Sequence, residues 1–269
     1  MITILGSSGF IGSHLVKKVR ELEIPYFSPG RHDELSHKEL GDVIYCIGLT
    51  ADFRTKPLET VNAHVCNLLK VLQQCEFDSL LYLSSARLYK SQVEVAREEN
   101  PIQIDPSDPN DLYNISKAMG ESLSLTCGRK ARVARLSRVY GDDFTSSNFL
   151  SAVLKEALFA NRVTLQTSLE AKSDYVSIDD VVDILIKIVT QGRHQIYNVA
   201  SGKNVSNREL MERISDLTGC KIEVVPKPSQ ATYPRINVDR IRKEFGFTPA
   251  NVLHDMERLI ELYRHHQGE

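Results

Sequence analysis

The chain has 269 residues, 42% hydrophobic and 25% charged, with a formal net charge of −2. This suits one large α/β domain, or a domain with a smaller lobe, and is enough to bury a sizeable core. It excludes the basic excess of a nucleic-acid surface. No run of roughly 18 apolar residues offers a membrane span, and no basic segment leads the first apolar run as in a secretory leader. The sequence thus predicts a cytoplasmic protein without nucleic acid or membrane as partner.

"MITILG" predicts a first strand, and Ile11, Leu15, Val16 and Val19 recur at helical spacing from Phe10 to about Leu22. "IPYFSPGR" predicts a second strand closed by a Pro29-Gly30 turn, and "DVIYCIGL" an apolar strand buried on both faces. Pro57 to Gln74 forms a helix with Leu58, Val61, Val65, Leu68, Leu69 and Leu72 along one stripe. "SLLYLSS" is the next strand, residues 98–110 a loop, and "DLYNISKAMGESLSLTC" a helix capped by Asp111. "ARVARLSRVYG" reads as one strand.

Strand–helix alternation over this part predicts an α/β fold, a Rossmann-type doubly wound parallel sheet. Beyond Ser146 helices dominate, in "NFLSAVLKEALF", "YVSIDDVVDILIKIVTQG", "SNRELMERISDLTG" and "VLHDMERLIELYRHH". The expected division is a dinucleotide-binding domain over 1–145 and a smaller, mostly helical substrate lobe over 146–269, with later returns to the sheet around "YNVASG". Asp179-Asp180 reads as a charge pair favoured by a helix N-terminus rather than as a catalytic dyad.

Cys46, Cys66, Cys75, Cys127 and Cys220 form no C-x-x-C pair and read as reduced thiols. The histidines are scattered, so no metal site is expected.

"GSSGFIG" follows the first strand and opens the first helix. Gly6, Gly9 and Gly12 supply a tight turn, a bare backbone for a pyrophosphate and close helix packing, with Ser8, Phe10 and Ile11 completing the loop. The helix start offers free N–H groups and a partial positive charge. After the second strand, Ser28 and Arg31 can hold a 2′-phosphate, which predicts NADP. NAD is the alternative, because Asp33 lies close to the ~20-residue spacing of a ribose-binding carboxylate.

Tyr113 and Lys117 in "YNISK" lie four apart, on one helical face. A neighbouring ammonium favours the phenolate and brings Tyr113 toward a useful range for proton transfer. Ser84 and Ser85 end a strand on the side of the sheet where ligands bind in such folds.

These motifs together resemble the extended short-chain dehydrogenase/reductase family, whose members modify nucleotide-linked sugars. "GSSGFIG", "VNAHVCNLL", "LSSARLY", "YNISKAMGE", "RLSRVYG", "SDYVSIDDVV" and "YNVASG" carry the resemblance over nearly the whole chain. It implies Ser85, Tyr113 and Lys117 as the catalytic set, with Tyr113, Lys117 and Ser137 also at the cofactor. It implies a nucleotide-diphosphate sugar held by Ser85, Arg138, Asn148 and Arg235, and a homodimer built as a four-helix bundle. Three departures stand out. The segment after Arg31 is too short for the family's usual helix and third strand. Arg138 replaces an asparagine common in epimerases. Ala86 and Arg87 replace the Asp-Glu pair of sugar dehydratases. The expected function is therefore reduction of a nucleotide-linked keto sugar. Epimerisation by the same residues is the runner-up, and a non-catalytic dinucleotide sensor the alternative of another class.

Overall fold

The structure, a computed structural model, describes residues 1–50, 52–90, 93–144, 146, 148–230 and 233–266. The first half contains β1 (Ile2–Leu5), α1 (Phe10–Glu21), β2 (Tyr26–Phe27) and β3 (Asp42–Tyr45). α2 (Pro57–Val61), a wide i→i+5 turn (Asn62–Cys66) and α3 (Asn67–Gln74) follow, then β4 (Ser79–Ser85) and a 3-10 turn (Ala86–Tyr89). β5 (Val95–Ala96), α4 (Leu112–Thr126), β6 (Ala131–Leu136) and β7 (Arg138–Tyr140) complete it. The second half runs through α5 (Phe149–Lys155), β8 (Arg162–Thr167), β9 (Lys172–Ser177), α6 (Ile178–Gln191) and β10 (Ile196–Val199). It ends with β11 (Asn204–Ser206), α7 (Asn207–Thr218), β12 (Lys221–Ser229), β13 (Arg235–Ile236), α8 (Asp239–Phe245) and α9 (Val252–His266).

Among the described residues the main sheet is six-stranded, in the order β2-β1-β3-β4-β6-β10, and every pairing is parallel. Such a sheet needs helices on both faces. α1 and α6 cover one face, where Leu15, Val19, Val181, Leu185 and Ile188 are wholly buried. α3 and α4 cover the other, over Leu68, Tyr45 and Tyr82. A separate apolar cluster joins α5, α7 and α9 around Leu154, Leu210, Ile214 and Met256.

The chain leaves β1 for β2 on one side and returns to β3 on the other, so strand order reverses between β1 and β3. Ligands of open α/β sheets bind outside the strand ends at such a point. Residues 28–41 make this return in turns, with no helix. The missing helix and third strand expected from the short segment are thus missing in the fold.

Two local expectations change. "ARVARLSRVYG" is two strands: β6 lies in the main sheet, and after Ser137 β7 pairs with β9. Asp111 does not cap α4. Its carboxylate instead takes the Asn114 amide (2.9 Å), the Asp105 N–H (2.9 Å) and the Lys90 ammonium. Residue 145, where the expected domain division falls, lies outside the described residues. Strands β8 and β12 pair in parallel beside the helices of the second half.

Candidate active site

The carboxyl ends of β1, β3, β4 and β6 open onto a cleft of about 610 Å³. The glycine loop forms its floor. Gly6 takes φ +90°, a left-handed conformation that other residues rarely adopt, and its carbonyl accepts the Gly9 N–H at 3.1 Å. A Cβ on Gly12 would lie 2.2 Å from the Gly6 carbonyl oxygen, so Gly12 is fixed by packing. Gly9 differs. Its φ is −81°, and a Cβ there would meet nothing closer than 3.5 Å. The fold does not require glycine at this exposed, cleft-lining position. Its absent side chain leaves bare backbone at the start of α1. That helix start has neither a side-chain cap nor an acidic residue in its first turn, so its N–H groups are free for an anion. These features fit a dinucleotide pyrophosphate.

Ser85, Tyr113 and Lys117 line the same cleft. β4 ends at Ser85, whose Oγ accepts the Arg87 N–H at 3.2 Å and also meets the Tyr113 phenol. Lys117 Nζ donates to the Leu83 carbonyl at 2.8 Å. Burial pushes the Lys117 ammonium down to about 7. Burial also raises the Tyr113 phenol, against the pull of the Ser85 and Thr50 hydroxyls and the Arg87 charge. Desolvation is the largest influence on Tyr113 here, and Arg87 is a cation that acts against it.

α4 is fastened beneath the site by groups to which the motifs assigned no role. Glu121 and Arg135 form a buried two-point ion pair, at 2.7 and 3.0 Å, and Ser84 donates to Glu121 at 2.5 Å. Arg135 also donates to the Tyr89 hydroxyl at 2.9 Å, which donates to Asn198 at 2.6 Å. His64 sits in the wide turn and is wholly buried. Its Nε2 accepts the Leu49 N–H at 3.2 Å, which leaves Nδ1 to donate to Ser116 Oγ at 2.8 Å; Ser116 in turn donates to the Tyr113 carbonyl at 2.9 Å. Burial and the Lys117 charge push His64 down to about 2, so it stays neutral. Carbonyls in the wide turn are taken by buried phenols: Tyr45 donates to Ala63 O and Tyr82 to His64 O. The sequence signals for His64 are its place within "VNAHVCNLL" and its helical spacing from Val61 and Leu68.

The opposite wall carries Ser137, Arg138 and Asn148. The Arg138 guanidinium lies 5.2, 5.7 and 5.6 Å from the Phe149, Tyr175 and Tyr233 ring centres. Asn148 donates to Asp143 at 3.1 Å. Gly9, Phe10, Ile11 and Gly12 also line the cleft, whereas Gly6 and Ser8 lie in the turn behind them. Ser28 and Arg31 fall past β2, outside the cleft lining, with Arg31 exposed. Arg235 is also outside. Its chain neighbours Pro234 and Ile236 line the cleft, and Arg235 between them is exposed to solvent.

A model of the NAD-dependent epimerase/dehydratase family matches residues 32–200. The chain belongs to that family. GDP-6-deoxy-D-mannose reductase of Pseudomonas aeruginosa is 30% identical over 258 residues, covering 84% of this chain and 83% of the relative. The solved structure of RMD from Pseudomonas aeruginosa complexed with NADPH superposes with a TM-score of 0.80 at 24% identity, covering 98% of this chain and 99% of that one. MoeE5 in complex with UDP-glucose and NAD gives a TM-score of 0.82 at 20% identity, covering 99% of each chain. The epimerase/dehydratase chain is thus an enzyme of the extended short-chain dehydrogenase/reductase kind. Among its described residues no helix is long and apolar enough to cross a membrane, and no three His, Cys, Asp or Glu cluster as a metal site.

Proposed function

We propose that this enzyme reduces a nucleotide-linked keto sugar with a nicotinamide dinucleotide, NADPH by preference and NADH as the alternative. The observation that carries the reading is that one cleft holds the bare Gly9 backbone at the start of α1 together with Ser85, Tyr113 and Lys117. The reductase similarity, at 30% identity, supports reduction over epimerisation. The bound dinucleotide would supply a hydride to the carbonyl carbon. Ser85 donates a hydrogen bond to the carbonyl oxygen, and Tyr113 delivers the proton that oxygen gains. Lys117, held by Leu83 O, binds the nicotinamide ribose. Gly9, Phe10, Ile11, Gly12 and Ser137 line the cofactor's path, with Gly6 and Ser8 shaping the turn, while Ser28 and Arg31 meet the adenosine end. Arg138 and Asn148 hold the diphosphate of the sugar nucleotide.

We also read residues 1–145 as the dinucleotide-binding part and 146–269 as mainly substrate lobe. The protein is placed in the cytoplasm, in keeping with its five unpaired cysteines. Leu58, Leu69 and Met119 are exposed on α2, α3 and α4, which supports a homodimer through a four-helix bundle.

The test is a panel of nucleotide-linked keto sugars with NADPH. Stoichiometric loss of absorbance at the reduced-nicotinamide band is the expected result, abolished in Tyr113→Phe. A sugar isomer formed without net NADPH consumption would move the assignment to epimerase.

A further inference from the structure

We propose that Arg87 is the fixed positive charge that sets Tyr113 for proton transfer in the free enzyme, a role that rests on the reading of Tyr113 as the proton donor. The two side chains come from different elements. Arg87 lies in the 3-10 turn that follows β4, and Tyr113 in the first turn of α4. The Arg87 guanidinium carbon is 5.5 Å from the centre of the Tyr113 ring and 5.0 Å from that of the buried Phe53. Its Nη2 donates to the Asn110 carbonyl at 3.4 Å, and its backbone N–H donates to Ser85 Oγ. The guanidinium is thus held on the cleft side of Tyr113 by the same turn that presents the serine.

Other groups around Tyr113 cannot supply this charge. Phe53 packs at 5.5 Å and His64 edge-on at 5.4 Å; Phe53 is uncharged, and burial keeps His64 neutral. Ser85 and Thr50 offer hydroxyls only. Lys117, on the same helix, is turned away to the Leu83 carbonyl at 2.8 Å, and burial pushes its ammonium down. Its neighbour Cys46 is a thiol raised to about 12 and carries no charge there. At the start of α4 the Lys90 and Asp111 charges are paired with each other. Arg54 stacks on Phe53 at 4.4 Å and bonds Asn110 at 3.0 Å, one ring further from Tyr113. An arginine stays protonated at any pH where the protein is folded, which a buried lysine does not.

No carboxylate neutralises Arg87 from within the cleft. Among the described residues lining it, Asp174 is the acidic one, and it is occupied by the Ser201 N–H at 2.8 Å and the Gly202 N–H at 2.7 Å. The Arg87 field therefore falls on Tyr113 and on the substrate oxygen beside it. A cation at this range favours the phenolate over the phenol. Removing the charge must raise the pH at which Tyr113 ionises.

The experiment is a ¹⁹F NMR titration of the full chain labelled with 3-fluorotyrosine, whose phenol is more acidic than that of tyrosine. Tyr113→Phe assigns the resonance. Arg87→Gln is expected to raise the Tyr113 midpoint by about one pH unit, Arg87→Lys to fall between, and Arg54→Gln to leave it in place. In reduction assays the alkaline limb of kcat/KM should move upward with the same variant order. An unmoved midpoint in Arg87→Gln overturns the proposal, even if kcat/KM falls, because Arg87 then handles substrate alone. The Arg87→Lys titration decides if the glutamine variant does not fold, since loss of its guanidinium geometry must also move the midpoint. Should the midpoint move while Tyr113→Phe keeps full turnover, the function assigned to Tyr113 falls and the electrostatic link stands.

Discussion

The two walls of the cleft are built differently. On the sheet side, Ser85, Tyr113 and Lys117 sit on β4 and α4, and directional bonds hold their surroundings: Lys117 to Leu83 O, Ser85 to Arg87 N, and the His64–Ser116–Tyr113 relay. Beneath them Glu121 and Arg135 are paired within the core. On the lobe side, Arg138 and Tyr233 are half-buried, and Arg138 is held by aromatic faces and a long 3.5 Å contact with the Tyr175 hydroxyl. Directional buried bonds fix a position to within fractions of an ångström, which proton transfer requires. Ring contacts tolerate small displacements, which suits recognition of a substrate that arrives and leaves.

The largest effect should come from breaking the fastened wall. Glu121→Leu leaves the Arg135 guanidinium buried without its carboxylate. Such removals cost about 3–5 kcal/mol, or roughly a 10 °C fall in Tm for a chain of this size. Glu121→Gln keeps the shape and one acceptor, and should lose less. A thermal melt of Glu121→Leu within a degree of the parent would mean that α4 is held by its apolar face instead. On the looser wall, Arg138→Ala should raise KM for the sugar nucleotide about 10- to 30-fold, on the order of 1–2 kcal/mol of binding, with kcat nearly unchanged. A collapse of kcat with KM unchanged would erase the distinction between the walls.

The legible parts of the protein were those written in local spacing. Gly6, Gly9 and Gly12 show a loop because strand, turn and helix are contiguous. Tyr113 and Lys117 show a shared face because they are one helical turn apart. The apolar strands reveal the parallel sheet because both of their faces are buried. What stayed hidden depends on contacts distant in sequence. Arg135 sits in an apolar strand with no partner in its own segment until Glu121 comes across from α4. His64 reads as one of several scattered histidines until the Leu49 N–H reaches it. β8 alternates over only six residues, and its partner β12 is largely exposed without alternation, so helical signals around them dominate. Asp111 has the right residue type for a cap, but Lys90 and Asn114 compete for its carboxylate and win. Arg87 stood in plain view beside Ser85, and only the folded turn places it over Tyr113.

The glycine loop sharpens the contrast between fold and ligand at a single residue type. Gly12→Ala forces a Cβ into the Gly6 carbonyl and should destabilise the domain. Gly9→Ala makes only an ordinary 3.5 Å contact with the Gly6 carbonyl oxygen, so its stability should stay within the roughly 0.5 kcal/mol expected of a neutral surface change. Its NADPH affinity should nevertheless fall about tenfold, near 1.4 kcal/mol, because the methyl group occupies the pyrophosphate's approach. Isothermal titration of both variants separates the cases. Equal NADPH affinity in Gly9→Ala and the parent would remove Gly9 from the cofactor site.

The smallest effect should appear at the joint between the two walls. His14 on α1 meets Asp142, just beyond β7, at 2.6 Å. The Asp142 hydrogen bond raises His14 above its ordinary 6.5, and the same contact lowers Asp142 below its ordinary 3.8. For a group raised on folding, the contribution to stability is fully present below the unfolded value and fades as pH climbs through the folded one. For the lowered carboxylate it fades as pH falls through the folded Asp142 value. The pair therefore stabilises most in mildly acid solution. With Asp142 40% exposed, solvent screening keeps the contribution below about 1 kcal/mol. His14→Gln should accordingly lower Tm by a few degrees at pH 5.5 and by progressively less as pH rises through the raised His14 value and the parent imidazole loses its proton. A Tm difference that is constant from pH 5.5 to 9 would show that His14 joins the walls by packing on Phe10 and its neutral hydrogen bonds, with no part played by its charge.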